Sequence, residues 1–375
     1  MAYKVTTKTT YGQRLSNSLK GIITGFAMFI IGTIVLFWNE GNFVKTKRAI
    51  NEAEKVLVRV NDISNIDPAL NGTLIHASAF ADTEDILTDE MFGVSEKAIS
   101  LNRKVEYYQY VEESRTETRD LVGGGQESVT TYTYRKEWVK EPINSGNFAD
   151  PDYQSVNSVL KRVDAKTEYA KNVSFGAYKL PPFMISQISG SVPTPANITP
   201  SPTEHLSGNL VYYGNNPSSP QIGDVRVTLT KVMPAGISII GKVVGSTFEQ
   251  YVAANGKTFA RLAMGTVSAD NMFADAHSEN NMLTWLLRIV GIFLVIGGLK
   301  SMFKILPTLF KVLPFLGNIV QAGVGLVCSV GGGAWSLIVI SIAWLFYRPL
   351  IGIPILAIAI AGIWYLNKKS SKIKV

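Results

Sequence analysis

Few residues of this 375-residue chain have the types and spacing that catalysis or metal binding requires. The segment GISIIGKV (236–243) matches the first seven positions of a phosphate-binding loop. The eighth position of that motif is a hydroxyl residue that binds Mg²⁺, and here it is Val243. The histidines, His76, His205 and His277, are far apart and lack the spacing of zinc ligands. These patterns predict a protein with no catalytic residues, no metal and no cofactor.

Three charged residues beside apolar runs are the strongest candidates for a structural site. The segment LFWNEG (36–41) ends a long apolar run directly at Glu40, while Arg288 lies a few residues inside the second run and Arg348 lies in the short turn between the third and fourth runs. An unpaired charge inside a bilayer costs roughly 2.5–3.5 kcal/mol on insertion scales. We therefore predict that Glu40 pairs with Arg288 or Arg348 and fixes the first run against the others. The alternative is three separately hydrated interfacial charges.

The apolar runs themselves predict a membrane protein. Hydrophobic residues make up 46% of the chain and charged residues 17%. A helix needs roughly 17–25 apolar residues to cross the hydrocarbon core, and four runs are long enough: 19–38, 282–303, 316–346 and 350–366. The third run is so long that it must tilt, break near residues 331–333, or lie partly along the membrane surface.

The charge distribution predicts the orientation of these runs. All 29 acidic residues lie between Glu40 and Glu279. Basic residues without acids occupy the arm 1–18, the loop 304–315 and the tail 367–375. Such segments stay cytoplasmic, so both termini are predicted there, with residues 39–281 on the periplasmic or lumenal side. No nucleic-acid motif accompanies the basic residues, so no nucleic-acid partner is expected.

The segment 39–281 reads mainly as strands. We predict an integral membrane α+β fold, with one N-terminal and three C-terminal transmembrane helices. A β-rich, mainly antiparallel extracytoplasmic domain is inserted between helices 1 and 2. Alternating segments at 104–114 and 128–139, joined by three glycines, predict a long hairpin. Its aromatic residues form either a packed sheet face or a ligand-stacking platform: Tyr108, Tyr110, Tyr132, Tyr134 and Trp138.

Two further patterns concern the membrane. Small residues at the spacing of closely packed helices occur in the first and third runs, and they can pack within one chain or between chains: Gly21, Gly25, Gly32, Gly325, Ser329 and Gly333. Apolar and basic residues alternate around the cytoplasmic loop, which predicts a segment lying in the headgroup layer: Lys300, Phe303, Lys304, Leu306, Phe310 and Lys311.

Several long segments resemble the transmembrane protein 43 family, also called LUMA. They include FGVSEKAISLNRKVEYYQYVEE (92–113), TYTYRKEWVKEPINSGNF (131–148), TWLLR (284–288) and WLFYRPL (344–350). The resemblance implies a four-span protein that self-associates and organises membranes, with no catalytic residues to carry over. An animal-type member implies the endoplasmic reticulum and inner nuclear membrane, with emerin and lamins as partners. A bacterial member implies the inner membrane and no nuclear partners.

The expected function is thus a non-enzymatic membrane scaffold whose partners are membrane lipid, further copies of the chain and other membrane proteins. A second reading is a lipid- or amphiphile-binding module that uses the aromatic sheet face. A third reading is a transporter or channel. The spans contain no acidic residue and Arg288 is the only basic residue well inside one, which weakens this third reading.

Overall fold

The computed structural model describes residues 2–350 and 353–354. The predicted fourth span, 350–366, and the basic tail therefore lie almost wholly outside the described residues. Five α-helices are present in the described part: α1 (Tyr11–Val56), α2 (Pro182–Ile185), α3 (Ala269–Phe303), α4 (Ile305–Phe310) and α5 (Pro314–Tyr347). Three helical segments there are long and apolar enough to cross a membrane, namely Tyr11–Val56, Ala269–Phe310 and Pro314–Tyr347.

The strands form two large sheets and two small ones. In chain order they are β1 (Tyr3–Thr9), β2 (Val58–Arg59), β3 (Leu74–Thr83), β4 (Ile86–Asp89), β5 (Val94–Lys97), β6 (Ser100–Asp120), β7 (Gln126–Val139), β8 (Lys166–Tyr169), β9 (Val173–Phe175), β10 (Tyr178–Lys179), β11 (Ser191–Pro193), β12 (Glu204–Ser207), β13 (Leu210–Tyr213), β14 (Val225–Val232), β15 (Ala235–Val244), β16 (Thr247–Glu249), β17 (Tyr251–Val252), β18 (Thr258–Phe259) and β19 (Arg261–Met264). Most pairings are antiparallel, so the predicted β-rich antiparallel region is confirmed.

The chain divides into two compact units. A β-rich unit comprises residues 1–5, 51–116 and 130–274. A helical unit comprises residues 6–50, 117–129 and 275–375, and includes the tip of the hairpin that joins β6 to β7.

The β-rich unit contains two hydrophobic cores, one on each large sheet. The first sheet has the order β1-β7-β6-β14-β13-β12, and the second β19-β15-β16-β10-β9-β3-β2. Strand β14 shows why the sheets form, because Val225, Val227 and Leu229 are fully buried while the residues between them are half-buried. This alternation is typical of a strand with one face on a core. The second core centres on Ile75 and Ile239 and includes the buried hydrophobic residues packed around them.

Local sequence signals set where the long helices begin. At the start of α1, the Thr10 side chain accepts from the backbone N–H of Gln13, and the Gln13 side chain accepts from the N–H of Thr10. This reciprocal pair is a capping box. Helix α5 begins at Pro314, a residue favoured in the first turn because it needs no partner for a backbone N–H.

Two sequence-based expectations about helix length require correction. The helix of the first run continues well beyond Trp38, to Val56, since the charged segment that follows is rich in strong helix formers. The alternating segment VLVRV (56–60), which by its pattern is a strand candidate, is accordingly a strand only over Val58–Arg59. The third run forms one unbroken helix through residues 331–333, so the possible break there is absent.

Candidate functional site

Glycines bring α1 and α3 into backbone contact. A Cβ added to Gly25 would lie 2.6 Å from the carbonyl oxygen of Gly298, and one added to Gly32 would lie 2.9 Å from the backbone nitrogen of Val295. Gly21 is less crowded, with its nearest neighbour at 3.4 Å. The first predicted stripe of small residues therefore packs inside the chain, against an antiparallel helix.

The second predicted stripe, on α5, is different. A Cβ added to Gly325 or Gly333 would meet no atom within 4 Å among the described residues. The Ser329 hydroxyl donates to the carbonyl of Gly325 on its own helix, at 2.8 Å. The contact of α5 with α3 instead uses Gly332, where an added Cβ would lie 2.8 Å from Ile296. The stripe thus has no neighbouring helix in the described structure.

One end of the helical unit holds the predicted charged group, which we call the Glu40 cluster (Glu40, Arg288, Arg348 and Trp344). The Glu40 side chain is completely buried. Arg288 Nε donates to Glu40 Oε1 at 2.6 Å, and Trp344 Nε1 donates to Glu40 Oε2 at 2.9 Å. An Nη of Arg348 lies 3.6 Å from the same Oε2. The structure thus brings all three predicted charges together, and Trp344 completes the group.

Aromatic rings close the Glu40 cluster. The Arg348 guanidinium lies 4.3 Å above the Phe43 ring, and the Arg288 guanidinium lies 4.7 Å above the Trp285 ring. Next to the acid, the ring of Tyr347 lies against Gly41 so closely that a Cβ there would be 2.6 Å from it. The cluster thus joins α1, α3 and the end of α5 through a completely buried carboxylate, and aromatic rings lie against both cations.

A second ionic group lies at the other end of the helical unit. We call it the Asp120 cluster (Arg14, Asp120 and Lys311). An Nη of Arg14 lies 2.9 Å from one carboxylate oxygen of Asp120, and the Lys311 ammonium contacts the other. Their side chains are only 11%, 15% and 6% exposed, in the order Arg14, Asp120, Lys311. Lys311 was predicted on the membrane surface, and its burial in this cluster corrects that expectation.

The hairpin tip, residues 117–129, is fixed in the helical unit by backbone contacts. Arg14 donates to the carbonyl oxygens of Gly124 and Gly125 at 2.9 and 3.1 Å. The N–H of Gly123 donates to the carbonyl of Val312 at 3.1 Å. Gly124 has a φ of +83°, and a Cβ there would lie 2.4 Å from the ring of Tyr11, so only glycine fits this position.

These contacts conflict with the predicted topology. That prediction assigns the hairpin tip to the extracytoplasmic side, and Arg14 and Lys311 to the cytoplasmic side. In the structure, however, Asp120 pairs with Arg14 and Lys311, and Arg14 donates to the carbonyl of Gly124, so these residues lie together. The polar strand ends beside the tip, which include Arg119 and Glu127, are unsuited to lipid. One conformation therefore cannot satisfy both the contacts and the predicted topology.

The remaining predicted surface residues are exposed. Phe303, Leu306 and Phe310 are 40–49% exposed, and Lys300 and Lys304 are exposed as well. Pro307 lies within the short α4 and Pro314 begins α5, so the segment between α3 and α5 contains only one short helix.

The predicted aromatic residues pack against other side chains in the β-rich unit. Tyr134 stacks on Tyr153 at 4.0 Å between ring centroids, and Tyr110 meets the same ring edge-on at 5.1 Å. Trp138 lies 5.1 Å from Tyr108, and the Arg226 guanidinium covers it at 4.3 Å. The ring centroids of Tyr132 and Tyr3 are 6.3 Å apart. The rings thus form packed clusters, and this arrangement favours the packed sheet face over the ligand platform.

The hydroxyl of Tyr134 belongs to a hydrogen-bond network. It donates to Glu112 Oε2 at 2.6 Å, and the N–H of Ala149 donates to the same oxygen at 2.6 Å. Burial and the hydrogen bond to Glu112 raise the pKa of Tyr134 to about 12. The phenol therefore stays protonated at neutral pH and acts as a structural donor.

The described residues contain no group of three or more His, Cys, Asp or Glu side chains that could hold a metal ion. Two of the histidines make single contacts with backbone carbonyls: His76 with Val267 at 2.9 Å and His205 with Asn215 at 3.0 Å. Sequence reasoning missed Asp120 and Trp344. The only signal for Asp120 was its place beside the three-glycine turn, and Trp344 was visible one helical turn before Arg348.

Comparison with known proteins shows one consistent family. The sequence model of "Transmembrane protein 43" matches residues 107–349. The rat protein of that name is 30% identical over 352 residues, covering 90% of this chain and 87% of the rat chain. The human protein is 29% identical, covering 96% and 92%, and a Drosophila melanogaster homolog is 26% identical, covering 88% and 89%. No solved structure gives a significant match.

Proposed function

Because this chain belongs to the transmembrane protein 43 family, we propose that it is a non-enzymatic integral membrane scaffold that associates with copies of itself. The observation that carries this proposal is the open stripe of Gly325, Ser329 and Gly333 on α5. Small residues let helix backbones approach closely in lipid, where dispersion contacts and weak hydrogen bonds drive association. The predicted fourth span lies outside the described residues, so the stripe could receive either that span or the same helix of a second copy, and we propose the second copy.

Exposed apolar side chains on all three long helices support a location within lipid. Ile23 on α1 is 76% exposed, Phe293 on α3 is 70% exposed and Leu326 on α5 is 67% exposed. Apolar surface of this extent is costly in water and favourable in a bilayer. The scaffold thus has a lipid-facing surface as well as a narrow stripe suited to a protein neighbour.

Disulfide cross-linking in native membranes tests self-association. Cys328 is replaced by serine, and Ser329→Cys places a single thiol on the stripe. Oxidation is expected to give a product of twice the 41.0 kDa chain mass. Val330→Cys is the matched control, since this neighbouring side chain is 67% exposed and points about 100° away around the helix.

A bulky substitution on the stripe tests self-association by blocking the helix contact. Gly333→Leu is expected to reduce cross-linking at position 329, whereas Gly331→Leu, on another face of α5, leaves it unchanged. An absent product at position 329 would overturn the proposal. Equal cross-linking at 329 and 330 would show random collision and would also overturn it.

We also propose that the N-terminal arm and the hairpin tip share the cytoplasmic face. The support is the Asp120 cluster together with the tendency of lysine and arginine to remain cytoplasmic. In a Cys328→Ser background, Val122→Cys (Val122 is 87% exposed) and Lys4→Cys are treated with an impermeant maleimide in sealed membrane vesicles whose cytoplasmic face is outward. Both thiols should react before the vesicles are opened, and protection of Val122→Cys alone would restore the original topology.

A further inference from the structure

A cavity of about 630 Å³ opens beside the Asp120 cluster in the helical unit. Roughly 300–1,000 Å³ is the usual range for small-molecule sites. Its charged lining comes from Arg14, Asp120, Lys300, Lys304 and Lys311. The remaining lining residues are polar except for Pro307, Val324 and Gly325: Thr118, Gln126, Pro307, Thr308, Asn318, Gln321, Val324 and Gly325.

The charges of this cavity do not balance. Four basic side chains face one carboxylate, and that carboxylate already contacts both Arg14 and Lys311. Lys300 and Lys304 have no acidic side chain within ion-pair distance in the part of the chain that the structure describes. Two ammonium groups at the rim of a concave site therefore lack a counter-ion from the described residues, and an anion of the right size would complete the site.

The chemistry of the lining indicates which anion fits. Phosphate oxygens accept hydrogen bonds from ammonium and guanidinium groups and from neutral donors. Thr118, Gln126 and Gln321 supply neutral donors around the basic groups. A free phosphate ion would occupy only part of the volume, while Val324 and Gly325 extend the lining with apolar surface.

We propose that this cavity is a binding site for the phosphate group of an anionic phospholipid. The headgroup lies between Lys300, Lys304 and the Asp120 cluster, and the start of an acyl chain lies along Val324 and Gly325. Exposed Phe303 and Phe310 flank the site at the level of the headgroup layer. The site is built from one chain and does not depend on self-association.

The test uses the purified full-length chain in a neutral detergent. The probes are dioctanoyl phosphatidylglycerol, dioctanoyl phosphatidylcholine and inorganic phosphate, with Kd measured by microscale thermophoresis. We expect the anionic lipid to bind more tightly than the zwitterionic lipid. The double variant Lys300→Gln/Lys304→Gln should weaken binding of the anionic lipid by about a hundredfold, because each charge-assisted hydrogen bond is worth about tenfold.

The matched control is Lys4→Gln/Lys20→Gln, which removes the same charge from exposed lysines that do not line the cavity. This control should leave the Kd within about twofold, well below one charge-assisted hydrogen bond. Equal losses in the two double variants would overturn the proposal, since only net charge would then matter. Equal affinity for the two lipids would overturn it as well.

Val324→Gln separates a lipid from a free anion. Val324 lines the apolar part of the cavity and does not belong to the α5 stripe, so the change removes apolar contact without altering the stripe. The variant should weaken lipid binding and leave inorganic phosphate unaffected. If inorganic phosphate binds with the lysine dependence described above and Val324→Gln leaves lipid binding unchanged, the ligand is a free phosphate and the lipid assignment is overturned.

Discussion

The two ends of the helical unit use the same chemistry in opposite ways. At one end, Glu40 is completely buried, contacts two arginines, and is covered by aromatic rings. At the other end, Asp120 contacts Arg14 and Lys311 beside an open cavity with two further lysines. Both ends have a carboxylate between basic groups, but only the second leaves basic groups without an acidic neighbour among the described residues.

This difference leads us to assign different roles to the two clusters: a structural role to the Glu40 cluster and a ligand-binding role to the Asp120 cluster. Desolvated charges must satisfy each other, so a closed cluster tolerates little change. In a cluster next to an open cavity, an anion from solution can pair with the basic side chains in place of the protein carboxylate. The four predictions that follow change one end and use the other end, or a matched residue, as the reference.

The largest effect is expected from Glu40→Gln. Removing the charge leaves Arg288 and Arg348 buried without their carboxylate, which typically costs about 3–5 kcal/mol in the free energy of unfolding. Thermal or denaturant unfolding in detergent measures this loss in the free energy of unfolding. The control is Glu113→Gln, whose pair with Arg135 is more than half exposed and worth at most about 1 kcal/mol. Equal effects of the two variants would show that the Glu40 cluster is hydrated.

Asp120→Asn is expected to destabilise the protein less, by about 1–3 kcal/mol, because Arg14 keeps its hydrogen bonds to the carbonyls of Gly124 and Gly125 and Lys311 keeps the side chain of Asn318. The sharper measurement is rescue by an anion. Inorganic phosphate at high concentration should recover part of the lost stability of Asp120→Asn and none of that of Glu40→Gln. Rescue of both variants, or of neither, would remove the distinction between a closed and an open end.

Trp344→Phe should cost about 1 kcal/mol, since it removes the N–H donor to Glu40 but keeps a ring beside both arginines. Trp335→Phe is the matched change, because its indole N–H donates to the neutral hydroxyl of Thr33 at 3.0 Å. Charge-assisted hydrogen bonds are about twice as strong as neutral ones. The unfolding free energy should therefore fall more for Trp344→Phe, and the reverse order would contradict the assignment.

The smallest effect on stability is expected from Lys300→Gln/Lys304→Gln. Exposed substitutions of this kind usually change the unfolding free energy by no more than about 0.5 kcal/mol. The same double variant is the one expected to lose anion binding, so folding and binding separate at this end. A large loss of stability would instead make these lysines structural.

The sequence predicted the Glu40 cluster because depth in a membrane can be read from hydropathy. Glu40 and Arg348 follow apolar runs, Arg288 lies a few residues inside another, and an even number of membrane crossings brings these three ends to one level. The Asp120 cluster has no comparable signal. Arg14 and Asp120 meet only because a hairpin tip folds against the start of a helix, and no local pattern encodes that contact.

The hairpin also shows that sequence patterns predict strands but not the contacts between distant segments. Alternation predicted strands β6 and β7 and placed Tyr132, Tyr134 and Trp138 on one face. It did not reveal that Tyr153, from an irregular segment, covers the ring of Tyr134. Irregular segments have no periodicity, so their packing follows from the complete fold and not from the neighbouring sequence.

The uninterrupted course of α1 has a mechanical consequence. At about 1.5 Å per residue, the helix extends about 27 Å past Trp38 before it ends at Val56. A rod of that length acts as a lever arm, so each degree of tilt at Trp38 displaces Val56 sideways by about half an ångström. Changes in bilayer thickness that tilt the buried part of the helix are therefore amplified at its far end.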